Sequence, residues 1–590
     1  MLSDPPNKRD EKGPLPLVLA VTGHRDLRGE DHKPLKQQVR TIFHTLEKDY
    51  PFTPFQLMSA LAEGADRLVA SVALEFNIPV VACLPMEKSL YECDFKTNES
   101  RDEFKALLQN ASRIVTLSLV QGETLVEHAK AQDHKRNLQY QNLAVYLVTQ
   151  CQILIALWDG VDSGLVGGTS SVVHMQLSGD IDSNHPIDFP ETGPVLHVVT
   201  PRIGNPEPVG KPYSLCERGC PNHSQKAVEN SYANIYRRMD AFNRDALTNG
   251  KTLKADCEKN KDHLFQREVR IELGDSMVSM IDYYALTDTL AIYYRTLTQR
   301  SLRAIIFGSG ILAVFLFECF ADGPEPLQVW ALLCYVILCA VTYGSYKLVN
   351  PERFKTKYLD YRALAEGLRL QIFWRIAGLK QQVADYYLRK QKTELGWIRN
   401  AIRVWSAAAT TTPRENERLD IVQSRWIEDQ FRFFERVSER DQRRQKIEKC
   451  CTFYILLLTM AIASATLLIG GFGRRFNLAL SSHPWQYGLP DRYKMELHGL
   501  ILIGMAILWA TAGAITAYSL KMAVGEQEKQ YRRMQSLFRR GSECLKKALA
   551  TNDRELAIKT IFDLGKEALE ENGDWVLLHR ERNVDVHLGG

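Results

Sequence analysis

The sequence predicts an α/β domain on a mostly parallel sheet, followed by an all-α membrane domain with four transmembrane helices. Three observations carry this. Short apolar runs alternate with helix-period segments between residues 17 and 199, the pattern of strands joined by helical crossovers. The polar clusters in that stretch follow strands, where ligands bind on such sheets. Four apolar segments in the second half, 304–320, 326–349, 451–471 and 497–520, are long enough, or nearly so, to cross a bilayer.

The elements follow in order. Residues 17–22, LVLAVT, form a first strand that stops at Gly23-His24-Arg25-Asp26. A glycine turn with basic side chains exposes backbone donors and reads as an anion site, or alternatively as a capped turn. Residues 35–46 read as a helix. Residues 56–59 form the next strand and run into Ala60-Leu61-Ala62-Glu63-Gly64-Ala65-Asp66-Arg67, which opens another helix. Asp66 in that first turn has a bland reading too, a carboxylate beside a helix dipole. Strands are expected at 78–84 and 113–119, a helix at 136–150, and a strand at 153–158 ending in Asp159-Gly160. Gly167-Gly168-Thr169-Ser170 follows after a short loop, and 195–199 closes the series.

With 590 residues the chain is too long for one core. Its 24% charged and 45% hydrophobic residues are ordinary, so the average conceals the apolar blocks. A net charge of +4 is small for this length and argues against nucleic-acid binding. Residues 1–16 are polar and Pro-rich, so no signal peptide is expected there. The 12 cysteines are scattered, which favours free thiols in a reducing compartment. Cys216, Cys220 and His223 form one compact cluster. With three ligands at an unusual spacing, it reads as a loop with incidental thiols rather than a zinc site, and no metal is expected.

The segments Thr22-Gly23-His24-Arg25, Ser59 through Asp66, Trp158-Asp159-Gly160 and Gly167-Gly168-Thr169 together resemble the SLOG superfamily. That group has a Rossmann-like fold and is similar to the lonely-guy and DprA proteins; the resemblance covers about residues 15–202. Some members release a base from nucleotide monophosphates. Others, fused to effectors in prokaryotic immunity, bind nucleotide-derived messengers. The resemblance implies that Gly23, His24 and Arg25 line the ligand, with Arg25 on phosphate. It sets Glu63, Gly64 and Asp66 at the second strand's end. Gly167, Gly168 and Thr169 would cradle phosphate, and Asp159 would hold a ribose hydroxyl or serve a turn. Enzymatic relatives follow a Gly-Gly-x-Gly-Thr stretch with a catalytic Glu; here Ser170-Ser171-Val172-Val173 follows Thr169. That departure weakens the case for hydrolysis and leaves Glu63 as the acid if the chain is an enzyme.

Residues 206–268 read as a linker and helical insert after a binding domain at 1–205. Pro206, Pro208, Pro212 and Pro221 break elements there, and a helix is expected at 227–247. An amphipathic helix at 269–300 leads to the first crossing. Arg300 and Arg303 before it, and Lys347, Arg353, Lys355 and Lys357 after the second, flank an acidic turn at 321–326. Positive flanks outside the pair place both soluble arms, and both termini, in the cytosol of an inner-membrane protein. Arg474 and Arg475 on the second outer loop run against that rule. The layout then repeats as a charged helix at 426–449, two crossings, and a basic helix at 527–550. These halves, 269–405 and 406–590, look like two copies of the SLATT module, a two-span effector partnered with SLOG domains. Membership implies a homo-oligomer that forms a pore or disrupts the membrane. No Asp, Glu, Lys or Arg occupies the middle of a span, so no charged filter is expected.

The combined expectation is a cytosolic sensor of a nucleotide second messenger, made by a partner synthesising enzyme, that gates a membrane effector in antiviral defence. No cofactor beyond that nucleotide-derived ligand is expected. The alternatives are a membrane-tethered nucleotide or N-glycoside hydrolase, a non-catalytic scaffold, and, more weakly, a transporter.

Overall fold

In a computed structural model the described residues are 11–119, 134–162, 164, 167–179, 192–219, 225–322, 325–349, 351–388, 392–407, 417–475, 491–521 and 524–581. The chain divides into two compact units. The first holds residues 1–286 with 367–371 and 381–410; the second holds 287–366, 372–380 and 411–590.

The first unit is α/β. Its strands are β1 (Leu17–Gly23), β2 (Phe55–Ser59), β3 (Val80–Leu84), β4 (Arg113–Thr116), β5 (Ile153–Trp158), β6 (Val195–Val199) and β7 (Leu215–Arg218). They form one sheet in the order β4-β3-β2-β1-β5-β6-β7. All neighbours run parallel except β6 and β7. Residues of β3 and β5 are buried throughout, as expected for strands covered on both faces. The edge strand β7 alternates between exposed and half-buried positions, and the sequence reading missed it, because a four-residue polar edge carries no apolar run.

The helices that bear on the site are α1 (His32–Asp49), α2 (Ala65–Glu75), α3 (Asn98–Gln109), α4 (His134–Gln150), α5 (Thr169–Ser178) and α6 (Gln225–Gly250). Leu143, Ala144, Leu147 and Val148 of α4, with Val172 and Val173 of α5, pack with Val18, Ala20, Leu154 and Ala156 of the sheet. The strand order reverses between β1 and β5, which opens a crevice beyond their carboxyl ends. The helix Lys392–Ser406 also belongs to this unit. Its Trp397 and Trp405 lie 5.8 and 6.0 Å from Phe242 of α6. Trp405 Nε1 donates to the Pro14 carbonyl at 3.2 Å.

The second unit is all helical. Its interior is aromatic: Trp426 stacks on Phe373 at 5.9 Å and meets Phe538 edge-on, while Trp374 contacts Phe562. A Cβ on Gly565 would fall 2.5 Å from Trp374 Nε1, so only glycine admits that approach. Among the described residues, three helical stretches are long and apolar enough to cross a membrane: Asp275–Ala321, Arg418–Ala465 and Leu500–Leu520. They support a multi-pass membrane protein, and they correct the expected count of four. The helix Glu325–Val349 forms, but its apolar part among the described residues is Gln328–Gly344. Side chains such as Phe317, Trp330, Phe453, Leu457 and Trp509 stand exposed, an arrangement that lipid, not water, stabilises. The first stretch carries a π-helical segment, Ala304–Gly310, where the expected first span begins. The acidic turn at 321–326 lies partly outside the described residues, and so does the loop beyond Arg475.

Candidate functional site

The site is assembled at the ends of β1, β2 and β5. Two glycines join the first two loops. A Cβ on Gly64, at φ +77, would lie 2.4 Å from the His24 carbonyl oxygen and 2.6 Å from that of Arg25. A Cβ on Gly23 would lie 2.4 Å from that of Ala65. The Ala65 N–H donates to the His24 carbonyl at 3.0 Å. Both glycines therefore act through close approach, which holds the β1 loop against the start of α2.

Across the reversal point, His24 Nε2 lies 3.0 Å from Asp159 Oδ1 and 3.2 Å from the Asp159 backbone nitrogen. Burial lowers the His24 pKa more than Asp159 raises it, which favours the neutral imidazole. Its Nε2 then either accepts from the Asp159 N–H or donates to the carboxylate, one at a time. Asp159 is 1% exposed. Its Oδ2 accepts from Arg202 Nε at 2.9 Å and Asn205 Nδ2 at 3.1 Å, and its Oδ1 from the Val161 N–H at 3.1 Å. Burial pushes its pKa up, but Arg202, the Val161 N–H and Asn205 outweigh it and hold it at about 2. Arg202 also reaches Asp26 at 3.4 Å, and Asp26 accepts from the Gly204 N–H at 3.0 Å. The loop after β6 is thereby clamped to the loop after β1.

Arg25 differs from these paired groups. It is exposed, and its guanidinium carbon lies 5.3 Å from the Tyr140 ring centroid. It makes no ion pair among the described residues. The nearby carboxylate of Asp94 is taken by the Tyr140 hydroxyl and by Arg136 at 2.6 Å. Two further buried donors in this cluster, the Tyr91 hydroxyl and Arg136 Nε, have no hydrogen-bond partner among the described residues.

Gly167, at φ +74, lies against α4: a Cβ there would be 3.0 Å from Gln141 N and 3.3 Å from Tyr140 Cβ. Gly168 caps α5 without a side chain, Thr169 opens it, and the first turn holds no acidic residue. This helix start has the polarity that favours an anion. Glu63 accepts a hydrogen bond from the Ser100 hydroxyl on α3, and Ser100 in turn accepts from Arg67 Nη1 at 3.0 Å. Asp66 is 7% exposed. Burial pushes its carboxyl up to about 7, against the pull of the Ala62 N–H, Arg25 and the Ala60 N–H.

The structure thus brings Gly23, His24, Arg25, Gly64, Asp66 and Asp159 to one end of the sheet, with Gly167 reaching it through Tyr140. Sequence reasoning missed Arg202, Asn205, Asp94 and Tyr140 as neighbours of these groups. Arg202 follows β6 in the same way that Asp159 follows β5, so the strand-end rule would have found it. Cys220 and His223 of the cysteine–histidine cluster lie outside the described residues. Among the described residues, no group of three or more His, Cys, Asp or Glu side chains is placed to hold a metal ion. No protein-family model matches the chain, and no curated protein is significantly similar to it.

Proposed function

We propose that the crevice beyond β1 and β5 binds a phosphate-bearing, nucleotide-derived ligand, and that occupancy acts on the membrane helices of the same chain. The observation that carries this is Arg25: a permanently charged guanidinium, exposed at the strand reversal and without a carboxylate partner among the described residues. The start of α5 and the unpartnered Tyr91 and Arg136 atoms add donors of the kind phosphate takes. The resemblance to SLOG domains supplies the nucleotide class, and the SLATT-like layout supplies the effector role. In this reading both termini are cytosolic, the working unit is a homo-oligomer, and a synthesising enzyme provides the ligand during antiviral defence.

A second reading, a membrane-tethered nucleotide hydrolase, draws on Asp66, whose carboxyl stays protonated close to neutral pH beside Arg25. Titration calorimetry of the detergent-solubilised full chain against cyclic and linear nucleotides tests both. Saturable binding lost in Arg25→Ala, with the nucleotide recovered intact, supports the sensor. Recovery of free base, lost in Asp66→Asn or Glu63→Gln, supports the hydrolase. No binding by the wild type sinks both.

A further inference from the structure

We infer that the second unit carries a binding site for an anionic lipid headgroup, built around Tyr518 where three helices meet at the edge of the apolar zone. Tyr518, 6% exposed, lies in the last turn of the stretch Leu500–Leu520. It packs with Leu302, Ile306 and Phe307 of the first stretch. Two guanidinium groups from two different helices cover its ring. The Arg303 carbon lies 5.9 Å from the centroid and the Arg444 carbon 5.6 Å, so the two are no more than about 12 Å apart. Arg303 Nε donates to the Tyr518 hydroxyl at 3.2 Å. Arg444 Nε donates to Glu448 at 2.8 Å, and the same carboxylate accepts from Ser519 at 2.7 Å.

The charge here is one-sided. Residues 443–449 read Arg-Arg-Gln-Lys-Ile-Glu-Lys, and the one carboxylate, Glu448, is already engaged. Arg300, Arg303, Lys446 and Lys449 are exposed and make no ion pair among the described residues. Cys450 begins the apolar run immediately after Lys449. A cationic cluster at that depth faces headgroups, and the paired Nη groups of Arg303 match two oxygens of a phosphodiester. Tyrosine suits the same interface, with its ring in the apolar zone and its hydroxyl at headgroup level. The occupant is therefore an anionic phospholipid rather than a soluble phosphate, because Ile306 and Phe307, half-buried on the same site, present apolar surface for acyl chains.

This inference rests on the membrane-spanning reading of these helices and is independent of the nucleotide crevice. The full chain is reconstituted in vesicles of equal parts phosphatidylcholine and phosphatidylglycerol. It is extracted in mild detergent, and its retained lipids are quantified by mass spectrometry. The wild type should retain phosphatidylglycerol preferentially. Arg303→Gln and Arg444→Gln should each lower that enrichment roughly fivefold, the worth of one basic side chain at an anionic surface. Arg440→Gln, at an exposed position paired with Asp441, should leave it unchanged. Equal retention of the two lipids by the wild type, or enrichment untouched by both substitutions, overturns the site while leaving the crossing helices in place. Displacement of the retained lipid by glycerol 3-phosphate overturns the choice of lipid over soluble phosphate. Failure of the chain to enter vesicles overturns the membrane reading and this inference with it.

Discussion

His24 Nε2 stands 3.0 Å from Asp159 Oδ1, tying the ends of β1 and β5 together where the strand order reverses. The floor of the crevice is thus a carboxylate already saturated by Arg202, Asn205 and a backbone N–H. The charge left over for a ligand is that of Arg25. Stability and binding therefore reside in different residues a few positions apart, and substitutions should separate them.

Asp159 should govern acid stability of the α/β unit. Its folded pKa, about 2, lies below the usual 3.8, so the folded state binds fewer protons than the unfolded one between those values. The stabilisation is complete above about pH 4 and is lost as pH falls through 2. It amounts to about 2 kcal/mol. Asp159→Asn should shift the acid-unfolding midpoint seen by circular dichroism and flatten its slope in that window. An unchanged acid transition would refute the role.

Asp66 should behave in the opposite sense. Its folded pKa is raised to about 7 by burial, so its contribution is fully present below about pH 4 and declines as pH rises through 7. Asp66→Asn, which keeps an acceptor for the Ala60 and Ala62 N–H groups, should therefore stabilise the unit at pH 8 relative to pH 4, by on the order of 2–4 kcal/mol. Urea titrations of both proteins at the two pH values read this directly. A larger gain at pH 4 would contradict it.

Gly64→Ala should prevent the α/β unit from folding. The new methyl would meet the His24 and Arg25 carbonyls at 2.4 and 2.6 Å on a backbone of φ +77. Gly29→Ala, with open space around it, is the matched control and should cost less than about 1 kcal/mol. Soluble yield and melting temperature of the two variants give the comparison.

Arg25→Ala should cost only about 1 kcal/mol of stability, because the guanidinium makes no ion pair among the described residues and loses chiefly its contact with the Tyr140 ring, while weakening nucleotide binding about 10- to 100-fold, the worth of a charged hydrogen-bond pair. Equal affinities would move the phosphate elsewhere.

Much of this arrangement was legible in the chain. Strands at 17–22, 153–158 and 195–199 match β1, β5 and β6 closely because buried parallel strands read as unbroken apolar runs. The strand-end rule led to Gly23–Arg25 and to Asp159 for the same reason. Other features left no local trace. Tyr140 and Asp94 reach the crevice from α4 and from the short turn Glu92–Asp94, and nothing in their spacing links them to Arg25. The close approach of Gly23 and Gly64 to each other's loops likewise has no local signature. The membership of Lys392–Ser406 in the α/β unit is set by Trp397 and Trp405 against Phe242, a contact between residues far apart in sequence.

The most direct test of the account is release of an entrapped dye from liposomes containing the full chain, as nucleotides are added one at a time. Release is expected with one nucleotide class, and it should be abolished by Arg25→Ala although that variant inserts normally. A nucleotide that binds tightly at the crevice and releases no dye would contradict it.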